Sequence, residues 1–144
     1  MDASKEYILM CEKAVEIQAI YKQRGLGEND FINRDKADPT REGFCIIIWL
    51  PRQDQLQGMI EAKDIAYLFD KFFEYYTLHW GIRSDCWWET SSMEQLWLAF
   101  VMSEKYNKVW TGKDWIRLNN SLPILTHLSR LVFLVLLNLP EDSA

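Results

Sequence analysis

The stretch SSMEQLWLAFVMSEKYNKVWTGKDWI, residues 91–116, decides the fold predicted for this chain. Ser91 and Glu94 have the spacing of a capping box, in which two side chains bind backbone N–H groups at the start of a helix. Every residue from 96 to 102 is apolar. A helix that is apolar on all sides is normally buried on all sides, so we expect residues 92–107 to form a helix at the centre of the molecule.

The end of the same stretch predicts a β-hairpin. Trp110 and Trp115 flank the turn sequence Thr-Gly-Lys-Asp, and aromatic pairs are typical of facing positions on adjacent strands. We favour a structural interpretation, in which the hairpin covers the central helix. A surface on which a ligand stacks is the alternative.

The N-terminal segment predicts another helix, which begins at the capping residue Ser4 and ends at Gly25. Its apolar side chains recur at intervals of three and four residues, as one helical face requires. This face comprises Tyr7, Met10, Ala14, Ile17 and Tyr21.

Two segments predict strands. FCIIIW, residues 44–49, is β-branched and aromatic and lies between Gly43 and Pro51, which is the pattern of a buried strand. DFIN, residues 30–33, is a candidate partner strand, and a long loop would join the two as a hairpin.

Pro51 begins a region that predicts two helices, because proline suits the first helical position. Gly58 and the polar residues 61–64 separate a short helix from a longer one, and Asp64 is placed to cap the second. The longer helix has an apolar face made by Ile65, Leu68, Phe69, Phe72, Tyr76 and Trp80.

The last segment differs from the rest. Residues 122–139 include 12 Leu, Ile, Val or Phe among 18 positions. Pro123, His127 and Arg130 argue against a membrane span, which needs about 20 apolar residues with few charges. We therefore predict a hydrophobic C-terminal extension over residues 121–144, forming a helix that packs on its own domain or on a partner such as a second copy. A membrane anchor is the less favoured alternative.

Taken together, the patterns predict a mostly helical α+β protein. Residues 1–120 would form one domain with a core of three to four helices and one or two small β-hairpins at its periphery. The length of 144 residues fits a single domain followed by the extension.

The net charge and the cysteine content limit the range of possible functions and compartments. The net charge of −5 comes without a basic stripe, so we do not expect nucleic-acid binding. The three cysteines form no CxxC motif, which favours reduced thiols in a cytoplasm.

Catalytic motifs are missing from the sequence. It contains no GxSxG, P-loop or GxGxxG pattern and no closely spaced zinc ligands, so we expect no enzyme activity, metal or cofactor. The alternative is a small enzyme built on Asp70, Glu74, His79 and Cys86, because paired carboxylates can perform acid–base chemistry when they are buried.

Aromatic residues favour a binding role. The chain has seven Trp, seven Phe and six Tyr, and surface tryptophans often dominate binding energy. We expect Trp87, Trp88, Trp110 and Trp115 to lie at the surface and to contact a protein partner. A small-molecule or carbohydrate-binding module using the same side chains is the alternative.

Three segments carry a family resemblance: SKEYILMCEKAVEIQ (4–18), WLPRQDQLQGMI (49–60) and SMEQLWLAFVMSEKYNKVWTGKDWI (92–116). They resemble a family of small, uncharacterised proteins of bacteriophages and prophages of Gram-positive bacteria. The resemblance implies a phage or prophage accessory protein in the cytoplasm of a bacterial host cell, with a host or phage protein as partner, and it implies no activity. Members of that family end soon after the hairpin, so the resemblance also implies that residues 119–144 are an addition.

Overall fold

The structure, a computed structural model, describes residues 1–25, 27–79 and 92–117. Within them the protein is α+β, with five helices and two antiparallel two-stranded sheets, which confirms the predicted class. The extension predicted at 121–144 and the domain boundary at 120 lie outside the described residues. The elements are α1 (Lys5–Lys13), α2 (Val15–Arg24), β1 (Phe31–Ala37), β2 (Cys45–Leu50), α3 (Gln53–Gln57), α4 (Ile65–His79), α5 (Met93–Tyr106), β3 (Lys108–Trp110) and β4 (Trp115–Arg117).

Helix α5 is the centre of the described structure, as the sequence predicts. Trp97, Leu98, Phe100, Val101 and Met102 are all 0 % exposed. Helices α1 and α3 and strand β3 pack directly against α5, and aromatic rings of α4 contact it as well. These contacts cover an apolar helix that could not remain in water by itself.

The start of α5 differs from the prediction. Ser92 is the capping residue, and its hydroxyl accepts a hydrogen bond from the Gln95 N–H at 3.2 Å. The predicted capping box of Ser91 and Glu94 is therefore wrong by one residue. Glu94 instead lies 3.3 Å from the amino group of Met1, and Asp2 accepts hydrogen bonds from the side chains of Ser92 and Gln95. The N-terminus is thereby tied to the start of the central helix.

The predicted N-terminal helix is two helices. Its apolar face is confirmed, because every side chain of the face is at most 8 % exposed. The break lies at Ala14, whose ψ of 71° is outside the helical range. Ser4 caps α1 by accepting from the Tyr7 N–H, and Gly25 ends α2 with the positive φ of 79° that favours glycine.

Strands β1 and β2 form the predicted hairpin with a long loop. The register joins Phe31 to Leu50 and Ala37 to Cys45, with an irregularity between Asn33 and Lys36. Strand β1 is longer than the predicted residues 30–33 and includes residues expected in the loop.

Burial of β2 is only partly as predicted. Ile48, Trp49 and Leu50 are buried, whereas Cys45 and Ile47 are exposed. The prediction of a fully buried strand is therefore wrong for its first half. Only the second half lies under the helices, and there the side chain of Gln18 binds Trp49, accepting from its N–H and donating to its carbonyl at 2.9 Å each.

The region after β2 contains the two predicted helices. Pro51 lies just before α3 and is not its first residue, because the Gln55 side chain accepts from the Arg52 N–H and so starts the helix there. Asp64 caps α4 as predicted, accepting from the Tyr67 N–H at 2.8 Å. Among the described residues, none of the helices has the length and apolar character that crossing a membrane requires.

Replacement of a core aromatic on α5 tests the central position of this helix. We expect Phe100→Ala to lower the free energy of unfolding by about 3–5 kcal/mol, because it leaves a cavity among packed rings. The matched control is Phe44→Ala, at a side chain that is 61 % exposed, and its expected effect is below about 0.5 kcal/mol. Urea unfolding of both variants measures the difference, and equal effects would contradict the assignment of α5 as the core.

Candidate functional site

One side of helix α4 is apolar and open to solvent. Ile65, Phe69 and Phe73 are 65 %, 53 % and 66 % exposed, and their spacing of four residues places them along one line of the helix. We call these three residues the α4 stripe. Isolated exposed apolar side chains are ordinary, but aligned ones of this size form a contact surface.

The neighbouring side of α4 holds the helix on the core. The ring of Phe72 stacks on Trp97 with a centroid distance of 4.1 Å and an interplanar angle of 8°, and it meets Phe100 edge-on at 5.5 Å. Leu68 and Tyr75 are buried beside it. The apolar face predicted for this helix is only partly confirmed: Leu68 and Phe72 pack on the core, whereas Ile65, Phe69 and Tyr76 are exposed. Trp80 lies outside the described residues, and neither the buried Tyr75 nor the exposed Phe73 was part of the prediction.

Charged residues flank the stripe. Asp70 is exposed, and Lys71 lies 3.8 Å from Glu74 in an ion pair at the surface. Acid–base catalysis by carboxylates depends on burial against apolar walls, and Asp70 lacks such an environment. For the alternative of an enzyme site, the His79 side chain and Cys86 lie outside the described residues, so the predicted convergence with Asp70 and Glu74 stays a prediction.

The two hairpin tryptophans are buried, contrary to the predicted surface position. Trp110 is 6 % exposed and Trp115 is 9 % exposed. The indole N–H of Trp110 donates to the Glu6 carboxylate at 2.8 Å, and that of Trp115 donates to the Met10 carbonyl at 2.9 Å. The β3–β4 hairpin therefore covers α1, and its indoles have no free face for a partner or a ligand. Trp87 and Trp88 lie outside the described residues.

A polar cluster that the sequence analysis missed surrounds Asp30. Its side chain is 1 % exposed and accepts hydrogen bonds from the Arg24 guanidinium, the Gly27 N–H and the Gln55 amide. Burial alone would raise the pKa of Asp30, but these hydrogen bonds and the Arg24 charge lower it to about 2. The Arg24 guanidinium also lies over the Trp49 ring, 4.7 Å from its centroid.

This Asp30 cluster joins the α2–β1 loop to α3. The polar run at residues 52–57 contributes Gln55 to it, and Arg52 pairs with Asp54 at 2.9 Å and donates to the Asn29 carbonyl. Each guanidinium nitrogen of Arg52 and the amide nitrogen of Gln55 thus donates a hydrogen bond within the chain. The only sequence signal for the cluster is the turn GEND at residues 27–30, which is suited to a carboxylate that binds its own backbone.

Chemically reactive groups are sparse in the part of the chain that the structure describes. No group of three His, Cys, Asp or Glu side chains there could hold a metal ion. Cys11 is completely buried, and burial raises the pKa of its thiol well above the ordinary value, which makes this cysteine inert. Cys45 is exposed and free.

Comparison with known proteins adds no relative: no protein-family model, curated protein or solved structure matches the chain. The fold and the surface therefore define a small α+β protein with an anchored helix and an exposed apolar stripe, and the function must be argued from them.

The hydrogen bond between Trp115 and Met10 leads to a prediction for the hairpin. We expect Trp115→Phe to lower the free energy of unfolding by about 1–2 kcal/mol, because it removes a buried donor from the contact with α1. Ile116→Val, at a neighbouring side chain that is 51 % exposed, is the control and should change stability by less than about 0.5 kcal/mol. Thermal unfolding followed by circular dichroism compares them; a Trp115→Phe protein as stable as the control would contradict the structural role.

The Asp30 cluster predicts a specific acid dependence. A lowered pKa in the folded state means that the carboxylate stabilises the fold above pH 3.8 and that this contribution is lost as the pH falls toward 2. We expect Asp30→Asn to lower the free energy of unfolding by about 1 kcal/mol at neutral pH, a value that allows for solvent screening near the surface. As the pH falls toward 2, the variant should lose less stability than the wild-type chain does. Glu28→Gln removes the same charge from the same loop and is the matched control. Denaturant titrations at a series of pH values test this, and identical profiles for the two variants would contradict it.

Proposed function

We propose that this chain is a non-enzymatic binding protein that contacts a protein partner through the α4 stripe. The observation that carries this proposal is the exposure of three large apolar side chains on a helix whose other side is fixed to the core. A helix that presents apolar side chains at i, i+4 and i+8 has the pattern that inserts into a hydrophobic groove.

The size of the surface supports this role. At these exposures, the α4 stripe leaves on the order of 300 Å² of apolar area in water, which is the size at which a patch on a monomer is often functional. Phe69 and Phe73 would be the anchors, since buried aromatic side chains dominate binding energy at interfaces. Stacking of Phe72 on Trp97 already holds α4 in place. Binding through the α4 stripe therefore costs less conformational entropy than binding through a mobile helix would.

A phage or prophage accessory role in the bacterial cytoplasm is the biological setting that we propose. Support comes from the resemblance at residues 49–60 and 92–116 and from the cysteine pattern. The partner would be a host or phage protein. A net charge of −5 without a basic stripe supports a protein partner over nucleic acid.

The carbohydrate-binding and enzyme alternatives have less support. Stacking on a sugar needs an open indole face, and the faces of Trp110 and Trp115 are buried. Acid–base chemistry would need a buried carboxylate pair, and Asp70 is exposed.

Capture of the partner by matched variants tests the proposal. The tagged full chain is expressed in a Gram-positive host with and without a resident phage, and captured proteins are identified by mass spectrometry. Phe69→Ser combined with Phe73→Ser should reduce the recovery of a specific partner at least about tenfold, because two anchors are lost.

Phe31→Ser combined with Phe44→Ser is the matched control. It also removes two exposed phenylalanines, 49 % and 61 % exposed, but from the β1–β2 hairpin. The control should retain the partner. Equal recovery by the wild-type chain and the α4 variant, with both correctly folded, would contradict the α4 stripe as the contact surface.

A further inference from the structure

We infer that two copies of this chain pair through the first half of strand β2, in an antiparallel contact that joins their β1–β2 hairpins into one four-stranded sheet. Pairing along a free strand edge is a recurring mode of protein recognition. The contact uses Cys45, Ile46 and Ile47 and no residue of the α4 stripe. It is therefore an interaction surface beyond the one in the proposed function.

The backbone of β2 alternates between its two edges. The Phe44 carbonyl accepts from the Asp38 N–H at 2.8 Å, so the even-numbered residues of this stretch turn their backbone groups toward β1. Cys45 and Ile47 therefore turn theirs away from β1, and both side chains are exposed, that of Ile47 to 41 %. Within the part of the chain that the structure describes, no group binds the outward backbone atoms of these two residues.

Two features limit the free edge to this pair of residues. At Trp49 the Gln18 side chain already binds both outward backbone groups, so pairing cannot continue in that direction. Before Cys45 the chain leaves the strand at Gly43, whose φ is 79°. The free edge therefore consists of the N–H and C=O groups of Cys45 and Ile47.

This edge is complementary to itself in one register. With Ile46 opposite Ile46 of the second copy, Cys45 lies opposite Ile47, and the two residues exchange both backbone hydrogen bonds. Twofold symmetry repeats the exchange, so every free group of both edges is used. A shift by two residues places Cys45 or Ile47 opposite itself and the other residue opposite Gly43 or Trp49, which halves the number of hydrogen bonds.

The side chains suit the same register. Ile46 meets its own counterpart at the twofold axis, and Cys45 faces Ile47, so no like charges oppose each other. Gly43 comes opposite Trp49, where the Gln18 amide lies. Because glycine has no side chain, it can pass that amide without a collision.

The outer edge of β1 lacks these properties. Its exposed middle carries three charges in sequence at Arg34, Asp35 and Lys36, and its pairing with β2 is irregular between Asn33 and Lys36. The Asn33 side chain also accepts from the Asp35 N–H at 3.1 Å. Charges and irregularities of this kind keep edge strands from pairing with other chains. The contact is therefore assigned to β2.

The dimer is expected to be weak. The pairing segment is short, and the large exposed apolar side chains near it are few, with Phe44 and Ile47 the principal ones. Such a contact buries less than the roughly 800 Å² per partner of a standard stable interface. Association should therefore depend on concentration over the range from about 10 µM to about 1 mM.

Disulfide formation between single-cysteine chains tests the register. One chain keeps Cys45, the other carries Cys45→Ser with Ile47→Cys and a tag that changes its mass, and both carry Cys86→Ser. Cys11 is completely buried in each. After mild oxidation of the mixture, the 45–47 product should exceed each symmetric product at least about fivefold, because like positions are diagonal neighbours about 7–8 Å apart, too far for a disulfide.

A proline on the free edge tests the hydrogen bonds. Ile47→Pro removes an outward N–H and leaves the bonds between β1 and β2 in place, because Ile47 faces away from β1. We expect its dimer dissociation constant to rise at least about tenfold. Ile47→Val, of similar size and with the N–H retained, is the matched control and should dimerise as the wild-type chain does. Sedimentation equilibrium measures all three proteins, and circular dichroism verifies their folding.

Several results would overturn the inference. They are a wild-type chain that stays monomeric at about 1 mM, a correctly folded Ile47→Pro protein that dimerises as Ile47→Val does, and symmetric disulfide products that equal or exceed the mixed one. If the proline variant does not fold, the disulfide products decide alone, since those chains keep the strand edge intact.

A variant of the α4 stripe separates this inference from the proposed function. Phe69→Ser with Phe73→Ser should dimerise as the wild-type chain does, because the stripe takes no part in the strand contact. Loss of the dimer in this variant would assign self-association to the stripe and overturn the strand contact. Capture of another protein through the stripe is measured independently, so either proposal can fail while the other stands.

Discussion

Residues 96–102 of helix α5 are apolar on every side of the helix, so each side of this part must be covered by another part of the chain. Its neighbours meet this requirement in different ways: α1 and α3 pack as helices, β3 follows α5 directly, and α4 contributes stacked rings. The arrangement has a cost, because within the described part of the chain the indole N–H of the buried Trp97 has no hydrogen-bond partner. Stacking of Phe72 on the same indole at 4.1 Å helps to offset that cost and explains why α4 is held where it is.

Polar side chains then fix the covering elements relative to one another. Asp2 joins the N-terminus to the start of α5, Gln18 joins α2 to β2, and Asp30 joins the α2–β1 loop to α3. Each of these three side chains makes several hydrogen bonds, and these bonds compensate for the burial of its polar atoms. These polar side chains fix the positions of the elements around the small core. The exposed side of α4 therefore has a defined position relative to that core.

Local patterns in the sequence predicted the helices well, because helical periodicity is a local property. The buried face from Tyr7 to Tyr21 and the Asp64 cap follow from spacing alone. The break at Ala14 did not: next to it the Gln18 side chain donates to the Cys11 carbonyl and to the carbonyl of Trp49, which is 31 residues away in sequence. A hairpin that covers the core was the favoured interpretation of its sequence, but the acceptors of Trp110 and Trp115 could not be predicted, because they lie on α1, more than 100 residues away in sequence.

In the candidate site, too, local periodicity predicts some features, while contacts between distant residues decide the others. Periodicity placed Leu68 and Phe72 correctly on the side of α4 that faces the core, but it also assigned the exposed Phe69 to that face. The position of Trp97 decides which of these rings is covered. Asp30 was missed because Arg24 and Gln55 come from different elements. Predicting such a surface from sequence requires knowing which neighbour covers which half of a helix.

The Gln18 side chain has a consequence for the behaviour of β2 in concentrated solution. The sequence CIIIWL at residues 45–50 has high β-propensity and carries neither charge nor proline, which is the composition of segments that stack into fibrils. In the folded chain, β1 pairs along one edge of β2, and the Gln18 amide occupies the backbone of Trp49 in the way that a foreign strand would. A single glutamine thus occupies the backbone groups through which another strand would pair at Trp49.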